Sequence, residues 1–78
     1  MDGTNILHLK KDNRLVAIMT PDLGGMDHAI YPQDTSSEMI EEIMRILSAI
    51  PPAVTHEERT LLLKKFYEDA GFTVEEVV

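Results

Sequence analysis

The chain has no cysteine and no tryptophan, and it has only two tyrosines and two phenylalanines. Without cysteine it can form neither a disulfide nor a thiolate metal site, and it has no thiol nucleophile. It also has no apolar run near the ~18 residues of a membrane span, and its first residues lack the basic start of a secretory signal. We therefore expect a cytoplasmic protein in which residues 1–78 form a single small domain around one apolar core.

Positive charge is also scarce, since seven Lys and Arg residues stand against fourteen Asp and Glu residues and give a net charge of −7. The imbalance is greatest over residues 21–44, which contain acidic residues but no Lys or Arg. Nucleic-acid affinity comes largely from neutralising phosphates, so we expect no direct binding to nucleic acid, and none to a membrane. Two interpretations of the acidic stretch stay open: a solvated, solubilising surface, or a negative patch that attracts a basic partner.

Residues 5–20 predict a β-hairpin. Leu7 and Leu9 share one face of the first strand, and Asp12-Asn13 is a two-residue turn whose residue types tolerate positive φ. Residues 15–19 are apolar at every position, whereas a strand covered on only one face would alternate. We therefore expect the second strand to be central in its sheet with both faces covered. A homodimer would cover any face or edge that the fold leaves open.

Residues 21–34 form an acidic loop around Gly24-Gly25, a pair that is typical of a turn or a loop tip. Residues 29–31 predict a short third strand that ends at Pro32. A loop of this length in a small domain is often functional. The loop is therefore the first place to look for a binding site.

Two helix-start signals stand twenty residues apart, at residues 35–38 and 55–58, and each is a Thr followed three residues later by Glu. In this layout the Thr hydroxyl accepts from a free amide while the Glu reaches back to the cap's own N–H, and each cap is worth about 1 kcal/mol. Pro51-Pro52 lies between the signals and cannot continue a helix. We therefore expect helices over residues 36–49 and 56–70, arranged as a hairpin.

Each predicted helix has an apolar side. In the first helix, Glu38, Glu41 and Glu42 lie opposite an apolar arc. That arc consists of Met39, Ile40, Ile43, Met44, Ile46, Leu47 and Ile50. In the second helix, Arg59 falls within the apolar arc, so we expect its stem along the core and its guanidinium in solvent.

The last segment, residues 72–78, follows Gly71, which suits a left-handed cap at the end of the second helix. Its valine content predicts a final strand that joins the hairpin. The alternative is a helix start, because Thr73-x-x-Glu76 repeats the capping pattern. The expected fold class is α+β: an N-terminal β-hairpin with a short third strand, a helical hairpin packed on one face, and a C-terminal strand.

No catalytic constellation stands out. Residues 56–60 begin like the helical zinc-protease motif, but Thr60 stands where the second histidine ligand would be. The acidic loop does offer oxygen and imidazole groups at a spacing that matches no calcium-binding loop; they belong to Asp22, Asp27, His28 and Asp34. We therefore expect neither an enzyme nor a bound metal or other cofactor. The alternative is a small-ligand or metal-binding domain that uses residues 22–34, with His28 and Tyr31.

The segment Pro21-Asp22-Leu23-Gly24-Gly25, followed by Asp34-Thr35-x-x-Glu38, resembles the antitoxins of the Hic type. In those proteins a β-hairpin is followed by P-D-L-P-G, a short run, then G-D-T and an acidic helix start. Here Gly24 replaces the second proline, Gln33 stands where the glycine would be, and the run between the motifs is longer. The second predicted helix has no counterpart in the resemblance. The resemblance implies a small protein that binds and neutralises a basic RNA-cleaving toxin.

These observations favour a non-enzymatic interaction module that docks an acidic face on a basic, nucleic-acid-binding protein. Its concrete form is an inhibitor or regulator of the kind that phages and mobile elements use against host defences. Met26, beside the two glycines, adds an adaptable apolar contact. The predicted partner-binding residues are Asp22, Met26, Asp27, Asp34, Glu38, Glu41 and Glu42.

Overall fold

The structure, a computed structural model, describes residues 6–21 and 28–77. Its elements in chain order are β1 (Ile6–Lys11), β2 (Arg14–Thr20), β3 (His28–Ile30), α1 (Ser37–Ala49), α2 (His56–Asp69) and β4 (Thr73–Val77). The strands form one antiparallel sheet in the order β3-β2-β1-β4. The predicted α+β class is confirmed, and so is the C-terminal strand. In the two described ranges, no helix has the length and apolar character that crossing a membrane requires.

The hairpin of β1 and β2 closes through the predicted two-residue turn. Asp12 and Asn13 both have positive φ, 54° and 65°, which is the backbone of a type I′ turn and matches the twist of the strands. The register then skips Val16, next to the pair that Leu9 forms with Ala17. This β-bulge takes the Val16 carbonyl out of the regular ladder and leaves it available to another segment.

The segment before α1 is fixed by that carbonyl, because the Thr35 hydroxyl donates to the Val16 oxygen at 3.1 Å. The predicted capping role of Thr35 is therefore wrong. Ser36 is the N-cap instead, and its hydroxyl accepts from the Met39 amide at 3.1 Å. The consequence is that α1 begins at Ser37 with its first turn attached to the hairpin.

The second helix begins as predicted. The Thr55 hydroxyl accepts from the Glu58 amide at 3.1 Å, so Thr55 is the N-cap of α2. The Glu58 carboxylate accepts from the amide of Val54 rather than that of Thr55, at 3.1 Å. The return bond of the capping box therefore goes to the residue before the N-cap. The amides of Val54 and Glu58 both have a side-chain partner.

The end of α2 is also as predicted. Gly71 has a φ of +95°, and its amide donates to the Glu68 carbonyl at 3.0 Å while the Phe72 amide donates to the Tyr67 carbonyl at 2.9 Å. These two bonds form a Schellman motif, which favours glycine because a side chain is strained at positive φ. The Lys11 ammonium lies 4.6 Å from the centre of the Phe72 ring, so the helix end is also tied to the hairpin.

The core lies between the helices and one face of the sheet, which we call the inner face. Leu7, Leu9, Ala17 and Met19 reach it from β1 and β2 and are fully buried. The helices add Ile43, Leu63 and Tyr67, which are fully buried too. The Tyr67 hydroxyl donates to the Ile43 carbonyl at 2.7 Å, and this bond joins the two helices behind the sheet.

Two expectations about helix side chains are wrong. The Arg59 head does not reach solvent: the residue is only 6% exposed, and its Nη1 donates to the Pro51 carbonyl at 3.2 Å. This bond gives the Pro51 carbonyl a hydrogen-bond donor. The carbonyl lies in the irregular connection between the helices, where a regular backbone partner is not at hand. Met44 was predicted to lie on the apolar side of α1, yet it is 54% exposed. The helix turns toward the sheet only the part of its apolar side that surrounds Ile43.

In the part of the chain described here, both helices lie on the inner face of β2, and Leu15 and Ile18 on its other face are half-buried. The alternate strand residues form an outer face, opposite both helices. Its apolar members are Ile6, Leu15, Ile18, Ile30 and Val77, and its charged members are Lys10 and Glu75. Among these, Ile30 is 65% exposed, since β3 has only three residues and lies at the sheet edge.

Candidate acidic interaction surface

The structure brings together four of the seven predicted partner-binding residues. Asp34, Glu38, Glu41 and Glu42 lie just before and along the first half of α1, and we call them the α1 acidic surface. The other three residues, Asp22, Met26 and Asp27, lie outside the described residues. The structure therefore shows the position of the predicted site residues on and just before α1, and not of those in the loop.

The amphipathic pattern of α1 sets the direction of this surface. Ile43 is fully buried against the sheet, and on the other side of the helix Glu38 and Glu41 are exposed while Glu42 is half-buried. The Thr35 hydroxyl fixes the start of the helix to the hairpin. The carboxylates therefore stand on a rigid element whose orientation is set by packing on one side and by a hydrogen bond at the start.

Asp34 differs from the glutamates because it has a partner. Its carboxylate lies 3.2 Å from the Arg14 guanidinium, and both side chains are about 70% exposed, 69% for Asp34 and 72% for Arg14. An exposed pair of this kind contributes little to stability, about 0–1 kcal/mol. Arg14 was not among the predicted site residues, because twenty positions separate it from Asp34 and no local pattern joins them.

The three glutamates differ from Asp34 in having no ion pair within the described part of the chain. Among residues 6–21 and 28–77, no ion pair involves Glu38, Glu41 or Glu42, and the i, i+4 spacing of Glu41 to Arg45 does not produce one. Glu38 lies in the first turn, where the helix dipole favours a negative charge. Glu42 follows it at the spacing where like charges repel. The surface therefore carries an excess of negative charge that a cation from outside would relieve.

A shallow cavity of about 210 Å³ borders the α1 acidic surface. It lies between the hairpin turn and the start of α1, and Asp12 and Arg14 line it on one side while Asp34 and Met39 line it on the other. Its volume is below the roughly 300–1,000 Å³ of sites for drug-sized molecules. It is large enough for one side chain of a partner beside the Arg14–Asp34 pair.

The alternative small-ligand site does not come together in the described residues. His28 lies on β3 and points to the outer face, in register with Thr20, whereas Tyr31 packs against the core. Burial raises the pKa of the Tyr31 phenol above its ordinary value of 10.0. Within the part of the chain that the structure describes, no three His, Asp or Glu side chains are grouped as metal ligands would be.

Comparison of the chain with models of known protein families, with curated proteins and with solved structures gave no match. The resemblance to Hic-type antitoxins therefore stays a resemblance on two short motifs. Part of the first motif, from Asp22 to Gly25, lies outside the described residues. The α1 acidic surface is the described feature that bears most directly on function.

Proposed function

We propose that this protein is a non-enzymatic interaction module whose α1 acidic surface docks on a basic surface of a nucleic-acid-binding protein. By occupying the site that would otherwise bind phosphates, it inhibits or regulates that protein. One observation carries the proposal: Glu38, Glu41 and Glu42 stand on a fixed helix and form no ion pair within the described residues. A cytoplasmic location, a phage or mobile-element origin and an antitoxin-like role are part of the same proposal.

The spacing of the carboxylates supports this interpretation. Glu38 and Glu42 are four residues apart, which places them about 6 Å apart along the helix axis. Two or three Arg or Lys side chains of one partner can reach them at the same time. Because the helix is already ordered, binding costs little backbone entropy. A rigid row of charges therefore favours fast, electrostatically steered association.

Asp34 has a different role in the proposal. Its carboxylate is already bound to Arg14 at 3.2 Å, so a partner's cation has to replace that arginine. The exchange gains less free energy than neutralising a carboxylate that has no ion pair. We therefore assign the main contribution to the three glutamates and a smaller one to Asp34.

The experiment is a capture assay with three proteins: the wild type, Glu38→Lys/Glu41→Lys/Glu42→Lys, and a control, Glu57→Lys/Glu68→Lys/Asp69→Lys. The control makes the same change in net charge at three exposed positions of α2. We expect the wild type and the control to retain a basic protein that high salt or its own nucleic acid releases. We expect the α1 variant to lose affinity about 100-fold or more.

Capture that survives the α1 substitutions, or that does not change between low and high salt, would contradict the proposal. A protein that is captured by wild type and lost by both triple variants would point to net charge rather than to this surface. Titration of the purified partner, followed by a nucleic-acid competition assay, then distinguishes an inhibitor from a bystander. An inhibitor and the nucleic acid exclude each other.

A further inference from the structure

The outer face of the sheet carries two apolar pairs, one on β2 and β3 and one on β1 and β4, and His8 of β1 lies between them. Ile18 of β2 is in register with Ile30 of β3, and Ile6 of β1 is in register with Val77 of β4. Ile30, Ile6 and Val77 are 65%, 40% and 38% exposed. Exposed apolar side chains are ordinary when they stand singly, whereas two such pairs on one face of a sheet make that face a candidate interaction surface.

The charge on this face is balanced, in contrast to the rest of the molecule. Lys10 and Glu75 lie on neighbouring strands, 3.3 Å apart, and the described strands also place His8 and His28 on this face. With histidines counted as neutral, the face has no net charge, whereas the chain has a net charge of −7 on the same count. Two copies of such a chain repel each other overall, and the repulsion is weakest where they meet through neutral surfaces.

Distance reduces the remaining repulsion. Packed sheets lie about 10 Å apart, and a helix layer lies roughly 10 Å behind each sheet. Two copies joined through their outer faces would have helix layers about 30 Å apart. That separation exceeds the Debye length of about 8 Å at physiological ionic strength, so the two α1 acidic surfaces would hardly sense each other.

The size of the face sets the expected strength. β2 has seven residues and β1 has six, and four strands about 4.8 Å apart give a projected footprint of roughly 20 × 20 Å. Two such footprints total about 800 Å² in projection, which is below the roughly 1,200 Å² of standard specific interfaces and suits a weak, transient contact. A second copy on this face would therefore form a weak, reversible dimer rather than a permanent one.

We propose that the outer face binds the outer face of a second copy of this chain. The occupant follows from balanced charge, from the distance that it leaves between acidic surfaces, and from an area that suits a reversible dimer. The resulting two-sheet sandwich covers both faces of β2, as its unbroken apolar run predicts. It also leaves both α1 acidic surfaces open on opposite sides, so the dimer is independent of the function proposed above.

The test compares Ile30→Lys with a matched control, Leu61→Lys. Leu61 lies on α2, away from the outer face, and its exposure of 60% is close to the 65% of Ile30. Sedimentation velocity should show the wild type and Leu61→Lys moving from the 8.8 kDa monomer toward twice that mass as concentration rises from micromolar to millimolar. Ile30→Lys should weaken the dimer at least about 100-fold, because it buries a charge in the interface.

A second variant, Val77→Lys, keeps the proposal testable if Ile30→Lys fails to fold, which circular dichroism would show. A wild type that stays at monomer mass at millimolar concentration overturns the proposal, and so does a dimer that Leu61→Lys dissociates and Ile30→Lys does not. If the outer face serves another protein instead, the pure chain stays monomeric, which is the same refutation. Sulfate should strengthen the apolar contact of the dimer, whereas sodium chloride should weaken charge-mediated binding through the α1 acidic surface. The two proposals can therefore be contradicted independently of each other.

Discussion

The two faces of the sheet are both rich in apolar side chains, yet the helices cover only one of them. Strand β2 shows the contrast within three residues, because Ala17 and Met19 are fully buried on the inner face while Ile18 between them points to the outer face. On the inner face the cover is built into the chain. An unbroken apolar strand therefore indicates that both faces are suited to burial, without identifying what covers the second.

The largest effect is expected from Leu9→Ala, on the inner face. Leu9 is fully buried in the core, and truncating such a leucine costs about 2–5 kcal/mol. A domain of this size has roughly 3–5 kcal/mol in total. We therefore expect the variant to be largely unfolded in thermal or urea denaturation followed by circular dichroism. The neighbouring change His8→Ala, on the outer face, should alter the free energy of unfolding by no more than about 0.5 kcal/mol.

Equal destabilisation by Leu9→Ala and His8→Ala would remove the distinction between the faces. The denaturation has to be run at low concentration, where any dimer is dissociated. Otherwise association would add to the stability of the folded state.

A smaller effect is expected from Tyr67→Phe, behind the inner face. The variant keeps the ring and its edge-to-face contact with Phe72, whose ring centre lies 5.5 Å away. It loses the 2.7 Å hydrogen bond to the Ile43 carbonyl. We expect a loss of about 1 kcal/mol in the free energy of unfolding, because this bond joins α1 to α2. A change below the error of urea denaturation would mean that packing alone holds the two helices together.

Thr35→Val probes how the acidic side of α1 is attached to the sheet. The substitution removes the donor to the Val16 carbonyl and leaves the Ser36 cap in place. We expect a loss of about 1 kcal/mol, similar to the loss from removing the Thr55 cap with Thr55→Val. Thr35→Val should also weaken partner binding, whereas Thr55→Val should not, because only Thr35 fixes the start of the α1 acidic surface. If both variants bind the partner equally well, Thr35 contributes to the stability of the fold and not to partner binding.

Much of this fold follows from local signals in the sequence. Asp12 and Asn13 specified the turn, Thr55 the start of α2 and Gly71 its end, because each acts through its own backbone or that of near neighbours. The predicted N-cap role of Thr35 was wrong for the opposite reason. Its hydroxyl had two acceptable roles, and the choice depended on Val16, a residue far away in sequence whose carbonyl the bulge had freed.

The candidate site was predictable to the same extent. Helical periodicity placed Glu38 and Glu41 on the exposed side of α1, since that pattern depends only on spacing. The Arg14–Asp34 pair could not be predicted, because it forms only when the hairpin packs beside the helix start. Arg59 shows a similar limit, since its buried position depends on the Pro51 carbonyl that the connection between the helices brings to it.

The smallest effect on folding is expected from Ile30→Thr, on the outer face. Threonine keeps the β-branched shape that suits a strand, and the side chain of Ile30 is already 65% exposed. The free energy of unfolding of the monomer should therefore change by no more than about 0.5 kcal/mol. The dimer should nevertheless weaken about tenfold, because each copy contributes less apolar surface. Urea denaturation at low concentration and sedimentation at high concentration measure the two effects separately. A loss of monomer stability near that of Leu9→Ala would place Ile30 in the core, whereas unchanged stability with weaker association would show that the outer face is apolar for binding and not for folding.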